Sequence, residues 1–257
     1  HHCHDQNRGG KVTTMLSRLM LMRDFWPEPG DSLLRDTGNV EAARHEFLTN
    51  RSNNLNYLLR NRYKWMEHYI GEEEKGIEVG SGAGFSKLYI HSPGLSLTDN
   101  TEYEWIDKKV DAMNLPYEEN SLDYIIASNM IHHLARPMIF IEEAERVLKK
   151  GGRLIIQDVN ISFLLRIMIR LTRSEGYSFK TDVFNKELIC NDPKDLWSGN
   201  NAIPNLLFDD KPKFEANTSF TFAHKKYDEI FLFPISGGVT SKAKTIQLPY
   251  FVLSILA

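Results

Sequence analysis

Apolar positions change period several times along this chain, and the changes outline its elements. Leu55, Leu58, Leu59, Tyr63, Met66 and Ile70 recur at helical spacing, predicting helix over residues 41–70, in one or two pieces, ending at Gly71 and the acidic turn Glu72-Glu73-Glu74. Residues 76–80 read as a short apolar strand, 95–99 as a second, 120–128 as a fourth after an intervening third, and 154–158 as a fifth. Between the last two, residues 142–149 form an amphipathic helix with Ala144, Val147 and Leu148 on one face, closed by Gly151-Gly152. A second apolar helix spans 161–171 and carries Arg166, Arg170 and Arg173 at near-helical spacing. Residues 174–212 read as irregular, and Phe220, Phe222 and Ile230 to Phe233 suit two final strands within 214–235. Alternating strands and helices of this kind predict an α/β fold with a mostly parallel sheet.

The chemistry concentrates where the first strand ends. Residues 77–84 read Ile-Glu-Val-Gly-Ser-Gly-Ala-Gly, an apolar strand running into Gly80, Gly82 and Gly84 with Glu78 two residues before them. Glycines in such a turn let a ligand approach the backbone. The turn would form a nucleotide-sized pocket at the carboxyl edge of a parallel sheet. A dinucleotide fingerprint would need glycine at 85, where this chain has Phe85, which argues against a nicotinamide-dependent oxidoreductase. A second acid, Asp99, closes the second strand. Further on come Asp111-Ala112-Met113-Asn114-Leu115-Pro116-Tyr117, then Asn129-Met130-Ile131-His132-His133-Leu134 after the fourth strand.

In this order, the E-x-G-x-G-x-G loop, the acid after strand two, the D-A-x-x-L-P-Y stretch and the H-H-L turn resemble class I S-adenosylmethionine-dependent methyltransferases. The resemblance is close over residues 77–158. It implies a Rossmann-like fold with a seven-stranded, mostly parallel sheet flanked by helices. It implies S-adenosylmethionine as cofactor, bound by Glu78, Gly80, Ser81, Gly82, Gly84, Asp99, Asp111, Ala112, Met113 and Asn129. In that family Asp99 would accept from the ribose hydroxyls, Asp111 would reach the adenine amino group, and Ala112 and Met113 would line the ring. One departure is plain: only eleven residues separate Asp99 from Asp111, too few for a helix plus a strand. The second crossover is therefore expected to be abbreviated, with the Tyr103–Trp105 loop covering adenine and Asp107 competing with Asp99 as the ribose acid. For an acceptor hydroxyl, His133 is the first candidate general base and His132 the second, with Asp158 a further candidate for acceptor binding. Residues 56–66 and 198–204 resemble methyltransferases of bacterial surface-polysaccharide assembly, which implies a sugar or glycolipid acceptor. A methyltransferase-like scaffold that binds cofactor without turnover is the alternative.

The implied organisation is an N-terminal extension over 1–40 and one domain over 41–257. Within it, 41–70 is a helical cap, 76–160 the cofactor core, 161–212 a lid or acceptor region, and 213–257 the last strands and an apolar C-terminal segment. The apolar run at 248–257 is a packed end or a surface for a partner or membrane. A net charge of −3 with scattered basic pairs gives no nucleic-acid footprint. Two cysteines, Cys3 and Cys190, make no disulfide framework, so a reducing, cytoplasmic setting is expected. His1-His2-Cys3-His4 lacks the spacing of a structural zinc site and reads as a frayed terminus or tag remnant. Met15 to Met22 is short and broken by Arg18, so no signal peptide is expected. No run approaches the roughly 20 apolar residues of a membrane span.

Overall fold

The computed structural model describes residues 24–28, 33, 38–173, 175–240 and 245–257; Cys3, the histidines around it and Met15 to Met22 lie outside these. Five parallel strands form one sheet: β1 (Gly76–Val79), β2 (Leu95–Asp99), β3 (Lys108–Lys109), β4 (Leu122–Ser128) and β5 (Leu148–Gln157). Their order is β3-β2-β1-β4-β5. The order reverses between β1 and β4, so connections diverge from their carboxyl ends and leave a crevice there.

Period-two alternation sends side chains to two separate cores. Ile77, Val79, Ile125 and Ala127 pack one face, beneath α3 (Pro137–Val147), α5 (Ile203–Phe208) and α6 (Lys211–Asn217). Tyr124, Ile126 and Leu95 pack the other, beneath α2 (Asn53–Glu67), α7 (Leu232–Ser236) and α8 (Tyr250–Leu256). The remaining helices are α1 (Val40–Asn50) and α4 (Phe163–Thr172). The 41–70 region is thus two helices, divided where Arg51 takes a left-handed conformation and Ser52 caps α2 by accepting from Leu55 N. The abbreviated crossover is present: no helix lies between β2 and β3, which are joined by residues 100–107 in turns and bends.

Several expectations are corrected. Among the described residues the sheet has five strands rather than seven. Phe220 and Phe222 do not enter it; Phe222 wedges against Phe208 and Phe214. The Ile230 to Phe233 run leads into α7, whose third residue is Pro234. A short apolar run does not distinguish strand from buried helix, and proline lacks the N–H a ladder needs. The stretch 174–212 holds helix α5 and the start of α6 rather than being irregular throughout. The helix expected at 142–149 starts earlier, at Pro137, and stops at Val147, while Gly151 and Gly152 fall inside β5 at a register shift against β4.

The apolar C-terminal segment docks on this same chain. Leu253 is fully buried, and the Asn54 side chain donates to the Ile235 and Ile246 carbonyls and accepts from Leu248 N. Arg62, in α2, forms a two-point ion pair with Glu229, at 3.0 and 2.6 Å, holding the loop before α7. Among the described residues no helix is long and apolar enough to cross a membrane.

Candidate active site

The glycine loop sits at the crevice. Gly80 and Gly82 both have positive φ, at 63° and 48°. A side chain at these positions would be strained, and its surroundings differ sharply. A Cβ on Gly80 would lie 2.9 Å from Met130 Cβ, whereas one on Gly82 would meet nothing within 4 Å. The first glycine therefore lets the turn after β4 close against the loop. The second faces open space. Ser81 faces inward: its hydroxyl donates to the Glu78 carbonyl and accepts from Thr98 N, fastening the loop to β2.

Two acids frame the loop. Glu78 is buried and accepts a hydrogen bond from Ser86 Oγ. Burial pushes its pKa up to about 7, outweighing the Ser86 and Ser81 hydroxyls; Asp99 adds to the rise. Asp99 accepts from Gly82 N and Thr101 N, both at 2.8 Å, so it shapes the loop and ends at the cradle. Asp107, the competitor, accepts from Leu97 N at 2.7 Å and pairs with exposed Lys87, a structural use on β2. The short crossover returns as an aromatic cover. Trp105 Nε1 donates to the Gly82 carbonyl, the indole lies against Gly84, Tyr103 stacks on it with ring centres 5.0 Å apart, and the Arg44 guanidinium sits 4.5 Å over the indole. Phe85, where a dinucleotide site needs glycine, is buried against Phe47.

The stretch after β3 is a tight loop. Asp111 is exposed and accepts from Met113 N at 2.9 Å. Ala112 is nearly buried, and Met113 lines a groove of about 380 Å³ with Arg136, Ile139, Ile189 and Pro193. Asn129, at the end of β4, holds φ of 51°, and its N–H donates to Gln157 O, drawing β4 and β5 together at the crevice.

The two histidines are brought to very different places. His132 is buried and pairs through Nδ1 with Asp158 Oδ1 at 2.5 Å. Asp158, from the end of β5, also accepts from Ile131 N and Val159 N, which fixes its carboxylate. Burial alone would lower the His132 pKa, but the charges of Asp158 and Glu175 and the Asp158 hydrogen bond more than offset it, and the net shift is upward. His133 stacks beside His132 with ring centres 4.0 Å apart, and its Nδ1 meets the Ser198 carbonyl at 3.2 Å. Burial and its charged neighbour hold His133 down to about 4, so it is neutral and a weak base. The carboxylate that would orient a base thus lies on His132 rather than on His133.

Sequence reasoning missed the supports of this turn. Asn191 Nδ2 donates to the His132 and Leu134 carbonyls, Asn200 N donates to His132 O, and Glu175 Oε2 lies 3.9 Å from His132 Nε2. From sequence, Ser198 to Asn201 reads as irregular chain and as part of the 198–204 resemblance, whereas in the structure its buried asparagines hold backbone. Glu175 gave no signal. Arg166 and Arg170 of the second apolar helix lie over the rings of Tyr177, Phe179 and Phe25.

Fold and site together define a doubly wound parallel α/β protein with its ligand crevice at the topological switch point. Residues 77–156 match the family described as a methyltransferase domain. Over that stretch, about a third of the chain, the protein is similar to methyltransferase domains, and the open space at Gly82 would suit S-adenosylmethionine. It is 30% identical over 114 residues to an uncharacterized protein of Methanocaldococcus jannaschii, covering 41% of this chain and 55% of that one. It is 44% identical over 48 residues to the 27-O-demethylrifamycin SV methyltransferase of Amycolatopsis mediterranei, covering 19% and 18%. A solved SAM-dependent methyltransferase of Thermotoga maritima superposes with TM-score 0.41 at 25% identity, covering 51% of this chain and 64% of that one. The chain spans about half the length of the archaeal relative and under a fifth of the rifamycin enzyme.

Proposed function

We propose that this protein transfers a methyl group from S-adenosylmethionine to a hydroxyl of a small molecule, with His132 as general base. The observation that carries this reading is the buried Asp158–His132 pair in a turn whose neighbour Met130 lies against Gly80 of the cofactor loop. The cofactor's sulfonium supplies an activated methyl group, so the protein's work is alignment, exclusion of water and removal of one proton. Gly80, Gly82 and the Trp105 cover hold the methionine end; Asp99 receives the ribose hydroxyls. Asp158 keeps the His132 proton on Nδ1 and stabilises the imidazolium that forms when Nε2 takes the acceptor's proton. A sugar or glycolipid hydroxyl remains the acceptor class to try first, on the resemblance of residues 56–66 and 198–204.

The test is S-adenosylhomocysteine release from S-adenosylmethionine across a panel of sugar, glycolipid and phenolic acceptors. For the best acceptor, His132→Asn should lower kcat by about 10²–10⁴-fold while the affinity for S-adenosylhomocysteine stays within about twofold. The parent rate should rise with pH through a midpoint above the ordinary histidine value of 6.5. A folded parent that binds neither sulfur compound would sink the reading.

A further inference from the structure

Three side chains converge where the segment after β5 crosses the turn after β4. His132, His133 and Glu175 each offer one ligand atom, and these atoms lie within 4.8 Å of one another. The three come from two separate stretches of chain, so their meeting is a tertiary feature.

The hydrogen bonding of the imidazoles is what makes the cluster more than a coincidence of positions. His132 Nδ1 meets a carboxylate oxygen of Asp158, and His133 Nδ1 meets the carbonyl oxygen of Ser198. A carbonyl oxygen only accepts, and so does a carboxylate when ionised. In the neutral rings the proton is therefore on Nδ1 of both, and both Nε2 lone pairs are free. This is how metal-binding histidines are prepared: the second ring nitrogen donates to a carboxylate or backbone carbonyl, which fixes tautomer and orientation. The third member is supported as well, since Glu175 Oε2 accepts from Asn201 Nδ2 at 2.9 Å. Asn201 is buried, as is Asp158.

The geometry points to a divalent transition-metal site formed by His132, His133 and Glu175, bridging the turn after β4 and the segment after β5. Two imidazoles and one carboxylate suit zinc, cobalt or iron(II) better than magnesium or calcium, which prefer all-oxygen sites. Zinc bonds of about 2.0–2.1 Å put tetrahedral ligands roughly 3.3 Å apart, so the atoms must draw in by up to about 1.5 Å. The Glu175 side chain is 33% exposed and can make that movement, while His132 is held at 4% by its partners. Three protein ligands leave one position of a tetrahedral shell open. A cation on His132 Nε2 and a free base there exclude each other, so occupancy decides whether His132 takes the acceptor's proton. The site itself does not rest on the methyl-transfer reading.

The test uses the full chain with His1, His2, Cys3 and His4 replaced by serine, since that run could bind metal by itself. Chelator-treated protein is titrated with Co²⁺ and followed by its visible d–d absorption, with circular dichroism as the check on folding. One equivalent should bind with the intense bands of a four- or five-coordinate site. Glu175→Gln and His133→Ala should each weaken binding by at least roughly tenfold, the low end of losses from disturbing a metal site. Zn²⁺ should displace Co²⁺ and raise the Tm of the parent but not of Glu175→Gln. Sub-stoichiometric binding by the folded parent, or affinity unchanged in both folded variants, would overturn the site. S-adenosylhomocysteine titrated into the same samples reports on the methyltransferase reading separately.

Discussion

Gly82 gives the sharpest separation between folding and cofactor binding. Its φ of 48° is left-handed, and a Cβ there would touch nothing within 4 Å. Gly82→Ala therefore costs only the backbone term, about 1–2 kcal/mol for a side chain in that conformation. In a chain of this size that corresponds to a Tm drop of roughly 2–8 °C. Binding should suffer more, because the methyl group would occupy the space in which the cofactor packs on the backbone. We expect about tenfold weaker S-adenosylhomocysteine binding for Gly82→Ala and about a hundredfold for Gly82→Val, or roughly 1.4 and 2.7 kcal/mol. Gly80→Ala is the contrast: its Cβ would sit 2.9 Å from Met130 Cβ, so its loss should appear first as a lower Tm. The assays are isothermal titration and thermal melting on the same preparations. If folded Gly82→Val binds S-adenosylhomocysteine as the parent does, the open space above Gly82 is not the cofactor cradle.

Other residues give independent checks. Asp99→Ala removes the acceptor of the Gly82 and Thr101 N–H groups and the proposed ribose partner, and should weaken S-adenosylhomocysteine by about 1.5–3 kcal/mol; unchanged affinity in titration would shift the ribose contact to a backbone group. Glu78 is protonated in the fold up to about 7 but ionised above about 4.5 in the unfolded chain, so the native state binds the extra proton in that window and stability should fall as pH rises through it. Replacing it by Gln should flatten that fall, worth up to roughly 3 kcal/mol, in urea titrations at pH 5 and 8; an equal slope in parent and variant would contradict the assignment. Arg62 and Glu229 are 2% and 12% exposed, so Glu229→Gln should cost about 3–5 kcal/mol by stranding a buried charge, and the double change Arg62→Met with Glu229→Leu should recover most of it. A double variant no more stable than the single one in urea unfolding would mean the loop before α7 depends on that ion pair for its shape.

Much of the molecule is written locally. The glycine loop was legible because its left-handed turns leave glycine as the least strained residue, and because Phe85 rules out the competing fingerprint. The paired acids Glu78 and Asp99, and the missing crossover helix, were legible from spacing alone: eight residues between β2 and β3 leave no room for a helix. The limits fall where the same local pattern serves two folds. Ile230 to Phe233 is as good a buried helix start as a strand, and only its packing with α2 in one core decided between them. Which histidine of an adjacent pair acts is beyond any local signal, because the answer lies in Asp158, Ser198 and Glu175, all remote in the chain. Composition and spacing therefore determined that a glycine-rich crevice opens at the carboxyl edge of the sheet, between β1 and β4. The partners of each imidazole, and with them their basicity and free lone pairs, were decided by tertiary packing, since hydrogen bonding and desolvation act through space rather than along the sequence.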